Sequence, residues 1–220
     1  MLVLKNGLKT FTGNFSFLAN WTYNLGADNL TLFGEQEMYN SGVKFYERYK
    51  PLTAFNVPFI RADQVYRCVQ SAQNFSAGYH ASREADFFSD HFDGYPYGIL
   101  VISDDVGYNN TLDPSTCNNF ENGWESQTSN DAEDTFEDVF LPSVITRIQG
   151  ETGVKLSKSN VKDIMDMCPF ETVYSPTGQI SDFCYLFNST EWAYYNGYRN
   201  IDKWYGYGGG MSGLNIYASY

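Results

Sequence analysis

The chain alternates between short apolar runs and longer stretches in which apolar residues recur at helical spacing. Residues 57–60 form a short run rich in β-branched and aromatic side chains, which predicts a buried strand. After a polar turn, apolar side chains share one helical face at Val65, Val69, Ala72, Phe75 and Tyr79. Residues 99–102 are apolar on both faces, as expected of a buried parallel strand. A strand that enters a helix through a polar turn is half of a βαβ unit, so the pattern predicts an α/β fold.

A helix is predicted before the first strand, and a loop before the second. The apolar face of this helix comprises Met38, Gly42, Phe45, Tyr46 and Tyr49. Pro51 is expected to end the helix, because proline lacks the backbone N–H that a helix interior needs. Residues 81–98 are acidic, aromatic and rich in glycine and proline, which predicts a surface loop.

From about residue 130 the pattern is helical throughout. Asn130 and Glu133 predict a capping box at the start of a helix. Pro142 is expected to kink or split this helix, and Gly150 and Gly153 are expected to stop it. The sequence thus predicts an α/β part first and a helical block after it.

Two further helices are predicted inside this block. Ser157 is expected to cap the first, which Pro169 ends, and Asn188 and Glu191 predict a second capping box. The apolar positions of the two helices are Val161, Ile164, Met165 and Cys168 in one, and Trp192, Tyr195 and Trp204 in the other, alongside Arg199.

Arg61 is the candidate functional residue that this pattern singles out. It directly follows the predicted strand, and ligand sites of open α/β sheets lie at the carboxyl ends of the strands. Its guanidinium carries five N–H donors in a planar fork that suits phosphate or carboxylate. The alternative is a structural ion pair between Arg61 and Asp63, and the local sequence leaves both interpretations open.

The charge of the chain excludes one class of partner and restricts another. A net charge of −12 argues against nucleic-acid binding, because phosphate neutralisation needs clustered lysine and arginine. The same charge repels anionic substrates at a distance. An anion site must therefore be a local positive pocket, or must work at a pH where carboxylates are protonated.

Sequons and cysteines indicate a secretory route. N-x-S/T occurs six times, at Asn14, Asn20, Asn29, Asn74, Asn109 and Asn188. Cys68, Cys117, Cys168 and Cys184 allow three fully paired connectivities. The apolar run at the N-terminus is too short for a signal peptide, and no stretch is long enough to span a membrane. We therefore expect that this N-terminus is not the natural one.

Other catalytic and metal-binding patterns are weak. Residues 208–213 match G-x-G-x-x-G but follow a predicted helix, so a flexible loop is favoured over a dinucleotide site. His80 and His91 show no neighbouring acid–base pattern and are interpreted as surface residues. No C-x-x-C pair occurs, so a zinc ribbon is not expected. One acidic cluster lacks EF-hand spacing and is interpreted as a solvated helix N-terminus; it contains Asp131, Glu133, Asp134, Glu137 and Asp138.

Several segments together resemble the middle of the histidine acid phosphatases of yeasts and fungi, especially the phytase branch. The most specific are residues 110–117, NTLDPSTC, and residues 165–172, MDMCPFET. The others are LGADNLT at 25–31, FGE at 33–35, SGVKFYERY at 41–49, PFIRA at 58–62 with Arg67 and residues 71–72, FCYLF at 183–187, and Glu191 with Trp192. The resemblance runs from about residue 14 to about residue 210.

The resemblance implies a phosphoglycerate-mutase-like α/β domain that carries an inserted helical subdomain. Residues 1–115 would then belong to the α/β domain, residues 116–206 to the helical subdomain, and residues 207–220 to a truncated return loop. The implied activity is phosphomonoester hydrolysis, with phytate as the expected substrate, through a phosphohistidine intermediate and without a metal or cofactor. The expected location is secreted, or in the cell wall or periplasmic space of a yeast or fungus.

The resemblance also assigns individual residues. Arg61 would contact the phosphate, and Asp166 would line the substrate-specificity side of the pocket. Cys168 and Cys184 match a local disulfide, whereas Cys117 matches a cysteine whose partner lies downstream. The family's nucleophile lies in an R-H-G-x-R-x-P motif and its proton donor in an H-D pair. Neither motif occurs in the 220 residues, so the chain is interpreted as an internal fragment that is inactive alone.

Two alternatives remain open at this stage. One is an acid phosphatase of broad specificity without a preference for phytate. The other is a non-catalytic chain that binds anions or serves a structural role. The flanking coding sequence would distinguish an enzyme from the second alternative, because it either contains the two missing motifs or lacks them.

Overall fold

The described residues divide into a helical unit and an α/β unit. The computed structural model describes residues 2–27, 29–92, 94–105, 107–108, 110–113 and 124–207. A helical unit contains the described residues up to 25, those of 124–172 and those from 179 onward. An α/β unit contains the described residues of 26–113, together with residues 173–178.

The helical unit begins with two short elements and continues with three long helices. The short elements are α1 (Leu2–Gly7) and a 3-10 helix (Gly13–Ala19). The long helices are α4 (Trp124–Thr152), α5 (Lys158–Tyr174) and α6 (Ser189–Tyr207), and a second 3-10 helix (Asp182–Leu186) precedes α6.

Local capping chemistry explains where α5 and α6 begin. The Ser157 hydroxyl accepts a hydrogen bond from the backbone N–H of Asn160 at 3.1 Å. Asn188 and Glu191 form the predicted capping box, in which each side chain accepts the backbone N–H of the other residue, at 3.0 and 2.9 Å. Both predicted helix starts are confirmed, because these caps need only residues that lie within one turn.

The core of the helical unit lies where the long helices pack against the second 3-10 helix. Phe140, Leu141, Val144 and Ile148 are buried on α4, and Val161, Ile164 and Met165 are buried on α5. Phe183 is fully buried as well, and its ring lies edge-on to that of Phe17 at 4.9 Å. Burying one such side chain stabilises the fold by roughly 1.5–3 kcal/mol.

The α/β unit contains the predicted strand–helix–strand order. Its elements are α2 (Leu32–Thr53), β1 (Ile60–Asp63), α3 (Tyr66–Glu84) and β2 (Ile99–Ile102). The two strands are parallel, and Arg61 is in register with Leu100. Among the described residues, these two strands make up the whole sheet.

Helices α2 and α3 touch through two glycines. A Cβ atom on Gly42 would lie 2.0 Å from the carbonyl oxygen of Phe75, and one on Gly78 would lie 2.0 Å from that of Tyr39. Only glycine permits this backbone approach. Beside the crossing, the rings of Tyr46, Tyr79 and Tyr97 pack edge to face.

The predicted first strand was misplaced by three residues. Val57 and Phe59 are outside β1 and exposed, Phe59 to 75 %. Pro58 has no N–H to donate to a strand neighbour, and the pairing begins at Ile60. Arg61 therefore lies inside the strand, as its second residue, instead of following the strand.

The prediction that β2 is buried on both faces is also wrong for the described residues. Leu100 is 52 % exposed and Val101 is 46 % exposed. The apolar run identifies the strand and its parallel pairing correctly, but burial depends on neighbours that a strand's own sequence does not specify.

Proline was the least reliable stop signal. Pro51, Pro142 and Pro169 each lie inside a helix instead of ending or splitting it. Pro142 removes one backbone hydrogen bond of α4, yet the helix continues because Leu141 and Val144 on either side are buried in the core.

Three other predicted boundaries also shift. Asn130 lies within α4 instead of capping it, and Gly150 is interior to the same helix. Gly153, with φ +70°, follows the last residue and ends the helix as predicted. The predicted loop at 81–98 begins later, because α3 continues to Glu84.

Candidate functional site

The carboxyl edge of the parallel strands brings together four polar residues. Asp63 is the last residue of β1, and Ser103 and Asp104 follow β2. The backbone N–H of Gln64 donates to the carbonyl of Ile102 at 3.0 Å, which extends the pairing past the strands. The Ser103 hydroxyl donates to the Gln64 side chain at 2.9 Å. The two chain segments are therefore held together where they leave the sheet.

Arg61 is exposed and donates one hydrogen bond to a residue fifty positions further along the chain. Its Nη1 lies 3.1 Å from the hydroxyl oxygen of Thr111. Asp63, the alternative partner, accepts instead from the backbone N–H of Val65 at 2.8 Å and from the Asn110 amide at 3.0 Å. Among the described residues Arg61 forms no ion pair, so no neighbouring carboxylate occupies its guanidinium donors.

Asn110 joins the ends of both strands. Its side chain is almost fully buried, at 2 % exposure. Its amide nitrogen donates to both Asp63 and Asp104, and its amide oxygen accepts the backbone N–H of Leu112 at 2.9 Å. The turn at 110–112 is therefore tied to the carboxyl edge by a single buried side chain.

The two carboxylates at this edge have pKa values displaced in opposite directions. The hydrogen bond from the Val65 N–H, with those from Asp104 and Asn110, lowers the pKa of Asp63. Desolvation, with the neighbouring Asp63, raises the pKa of Asp104. Like charges this close cannot both ionise freely, so Asp104 is the group that takes up a proton first.

An open cleft of about 670 Å³ lies beside Arg61. Side chains of α2 and α3 form its apolar wall, and residues 58–63 and Leu112 form the remainder. Cys68 also lines it, and this thiol is unpaired in the described part of the chain. The cleft thus combines an apolar wall with one exposed guanidinium.

Asp166 lies in the other unit, on α5. Its carboxylate accepts a hydrogen bond from the hydroxyl of Tyr195 on α6. Burial, with this hydrogen bond, raises the pKa of the Tyr195 hydroxyl, which therefore remains a donor across the ordinary pH range. Arg61 and Asp166, the two residues expected to contact substrate, thus each have a local partner within their own unit.

The cysteines follow the expected pattern where they are described. Cys168 on α5 and Cys184 in the second 3-10 helix form a disulfide, with Cα atoms 4.7 Å apart. The Thr172 hydroxyl accepts the Ser181 backbone N–H at 3.1 Å and closes the same loop from inside. Cys117 lies outside the described residues, as does the glycine-rich stretch at 208–213.

The sequons differ in their surroundings. Asn14, Asn20, Asn29 and Asn188 are exposed, whereas Asn109 lies outside the described residues. Asn74 is half-buried on α3, and its amide nitrogen donates to the carbonyl of Gln70 at 3.0 Å. A glycan on Asn74 would therefore have to displace a contact within α3.

His91 is exposed, as predicted, and His80 is half-buried, but an acidic side chain that was not predicted as their partner lies near both. Glu84 lies between them, with one oxygen 3.2 Å from Nδ1 of His91 and the other 4.0 Å from Nδ1 of His80. The hydrogen bond with His91 lowers the pKa of Glu84. The spacing of His80 and Glu84 on one helix face was visible in the sequence, but the approach of His91 from the following loop was not.

The interpretation of the acidic cluster as a helix N-terminus is wrong, because α4 begins at Trp124 and the cluster lies within the helix, where it is only partly solvated. Glu137 is buried and forms an ion pair with Lys162, whereas the exposed Asp138 pairs with Lys158. No group of acidic, histidine or cysteine side chains in the described residues has a geometry that could hold a metal ion. None of the described helices has both the length and the apolar character that crossing a bilayer requires.

Arg83 was not anticipated from the sequence. It is fully buried at the end of α3, and its guanidinium donates to the carbonyls of Ala54, Asn56 and Asp90 at 2.7–3.2 Å. Its face also lies 4.4 Å from the ring of Phe92. Arg83 therefore holds two loops of the α/β unit by backbone contacts, which no local pattern indicates.

Comparison with known proteins relates the chain to one family. The chain is 41 % identical over 210 residues to Phytase A of Aspergillus oryzae, 39 % identical over 210 residues to Phytase A of Aspergillus awamori, and 36 % identical over 232 residues to Phytase A of Neurospora crassa. These alignments cover 94–95 % of the chain but only 44–45 % of each relative, so the chain spans less than half the length of these relatives. The sequence profile described as Histidine phosphatase superfamily (branch 2) matches residues 3–217. The chain belongs to the histidine phosphatase superfamily, branch 2.

Proposed function

We propose that this chain is part of an enzyme that hydrolyses phosphomonoesters, with phytate as its preferred substrate, and that Arg61 binds the phosphoryl group. The observation that carries the proposal is the exposed Arg61 fork beside an open cleft at the strand edge, with no acid paired to it among the described residues. Membership of the superfamily and the phytases among the relatives support it.

The chemistry divides between this chain and motifs that it does not contain. A histidine of R-H-G-x-R-x-P would attack phosphorus, and the alcohol would leave with a proton from the aspartate of the H-D pair. Water would then hydrolyse the phosphohistidine. In both steps Arg61 would donate to the non-bridging oxygens and hold the group in line. The 220 residues alone are therefore expected to be inactive.

The finer architecture belongs to the same proposal. The sheet would be the phosphoglycerate-mutase-like domain, with residues 1–115 in the α/β part, residues 116–206 in an inserted helical subdomain and residues 207–220 returning toward the sheet. The described residues up to 25 would then belong to the α/β domain in sequence although they group with the helical unit. Asp166 would line the substrate-specificity side of the pocket. The six sequons support a secreted glycoprotein, and so does the pairing that the resemblance implies between Cys117 and a downstream cysteine.

Hydrolysis assays test the proposal. The protein with its natural flanking sequence is expected to release phosphate from phytate at acid pH, and the 220-residue chain is expected to release none from phytate or p-nitrophenyl phosphate. Comparable kcat/KM for the two substrates would favour the broad-specificity alternative. Absence of turnover in the longer protein would favour the non-catalytic alternative.

A further inference from the structure

A hydrogen bond to the Thr111 hydroxyl restrains the Arg61 guanidinium. Arg61 is an exposed side chain on a strand, and an unrestrained guanidinium samples many rotamers. Thr111 accepts from Nη1 at 3.1 Å and leaves the other N–H donors of the fork available. Both groups are exposed, so this contact contributes little to stability, and its consequence is the direction of the fork.

Thr111 is held in turn by its neighbour Asn110. The Asn110 side chain is buried, and its hydrogen bonds to described residues go to the carboxyl edge and to its own turn. The Asn110 amide nitrogen donates to the carboxylate of Asp63, the last residue of β1, and to that of Asp104, which follows β2. The position of the Thr111 hydroxyl is therefore set by both strands at once.

We propose that Asn110, with Asp63 and Asp104, is a positioning group that orients the Arg61 guanidinium through Thr111. This inference rests on the proposed role of Arg61 in binding phosphate. It assigns a function to Asn110 and Asp104, which are distant from Arg61 in sequence, and to Asp63, which lies on the same strand as Arg61. Removing it should leave Arg61 present but wrongly directed, and a displacement of about 1 Å can lower a rate on the order of a hundredfold.

The network is suited to acid conditions. Asp63 has a lowered pKa, so its stabilising contribution is present above its unfolded-state value, about 3.9, and is lost only as the pH falls through the lower folded value. Asp104 has a raised pKa, so its contribution is present below the unfolded-state value and is lost as the pH rises through the raised value. The positive charge of Arg67 further lowers the pKa of Asp63. The negative charge of Asp113 further raises the pKa of Asp104. The network is therefore most stable at acid pH, between the folded-state pKa of Asp63 and that of Asp104.

A double-mutant cycle in the protein that carries this chain tests the proposal, with p-nitrophenyl phosphate as substrate. Thr111→Val removes the acceptor at nearly constant shape and should lower kcat/KM about tenfold, with kcat affected and Tm unchanged. Thr111→Ser keeps the hydroxyl and should stay within about twofold of wild type. Ser103→Ala is the matched control, because its hydroxyl lies at the same edge but bonds to Gln64.

The Arg61→Ala background separates this inference from the proposed function. There, Thr111→Val should have no further effect on kcat/KM, because the group that it orients is gone. Two outcomes would overturn the positioning role and leave the phosphate role of Arg61 intact. The first is an equal loss of kcat/KM from Thr111→Val in the wild-type and Arg61→Ala backgrounds. The second is wild-type kinetics for Thr111→Val and Asn110→Ala when Arg61→Ala is strongly impaired. Wild-type kinetics for Arg61→Ala would overturn both.

Discussion

The hydroxyl of Tyr46 donates a 2.8 Å hydrogen bond to the carboxylate of Asp86 and so ties α2 to the loop that follows α3. Lys50, one turn later on α2, donates to the other oxygen at 2.9 Å. These two donors lower the pKa of Asp86, and burial together with Asp86 raises the pKa of Tyr46 to about 12. The contact therefore needs an ionised Asp86 and a protonated Tyr46.

This relationship predicts a dependence of stability on pH. Because the folded-state pKa of Asp86 is lowered, its contribution is present above the unfolded-state value of about 3.9 and disappears as the pH falls through the folded value. Asp86→Asn should therefore lower Tm at pH 7 and approach the wild-type Tm toward about pH 2–3. Thermal unfolding across this range measures it. Asp90→Asn in the same loop is the matched control, and an Asp86→Asn deficit independent of pH would contradict the account.

The glycine crossing predicts a sharp contrast between alanine substitutions. Gly42→Ala and Gly78→Ala each place a Cβ atom 2.0 Å from a backbone oxygen, so α2 and α3 must separate. Gly150→Ala meets nothing within 4 Å on α4 and should stabilise by about 1 kcal/mol through helix propensity. The free energies of unfolding of the three variants, measured in urea, test this contrast. Similar free energies of unfolding for Gly78→Ala and Gly150→Ala would show that the helices do not cross as described.

The disulfide predicts a third outcome. Cys168 and Cys184 are 16 residues apart, and their bond should stabilise the helical unit by roughly 3 kcal/mol on the chain-entropy estimate. The double variant Cys168→Ser, Cys184→Ser should lose about this much and become insensitive to reductant. Non-reducing peptide mapping provides the direct check, since a peptide that links Cys117 to either cysteine would contradict the assignment.

Local signals predicted the fold better than signals that depend on packing. Asn188 and Glu191 form the predicted capping box, whose atoms all lie within one turn. The same pattern at Asn130 and Glu133 gave a wrong helix start, because α4 already begins at Trp124. The break predicted at Pro142 does not occur, because the burial of Leu141 and Val144 offsets one missing hydrogen bond, and that burial depends on contacts with other elements. Gly42 appeared only as a position on an apolar face, since its contact with Phe75 joins two helices.

The candidate site shows the same division. Arg61 was identified from its place beside a strand and from its resemblance to a family motif, even though the strand itself lies three residues later. The acceptor Thr111, by contrast, is fifty residues away. Asn110 and Thr111 were noticed only as part of a matching segment. Their link to Arg61 depends on the parallel pairing of β1 and β2, which brings both turns to one edge.

The central claim is that Arg61 binds the substrate phosphate, and steady-state kinetics of Arg61 variants test it most directly. In the protein that carries this chain, Arg61→Ala should lower kcat/KM on the order of a hundredfold or more, equivalent to about 3 kcal/mol of transition-state stabilisation, with Tm unchanged. Arg61→Lys should recover little of this, because a point charge does not reproduce the planar fork. Near-normal kcat/KM for Arg61→Ala, together with a lowered Tm, would contradict the claim and make Arg61 a structural residue.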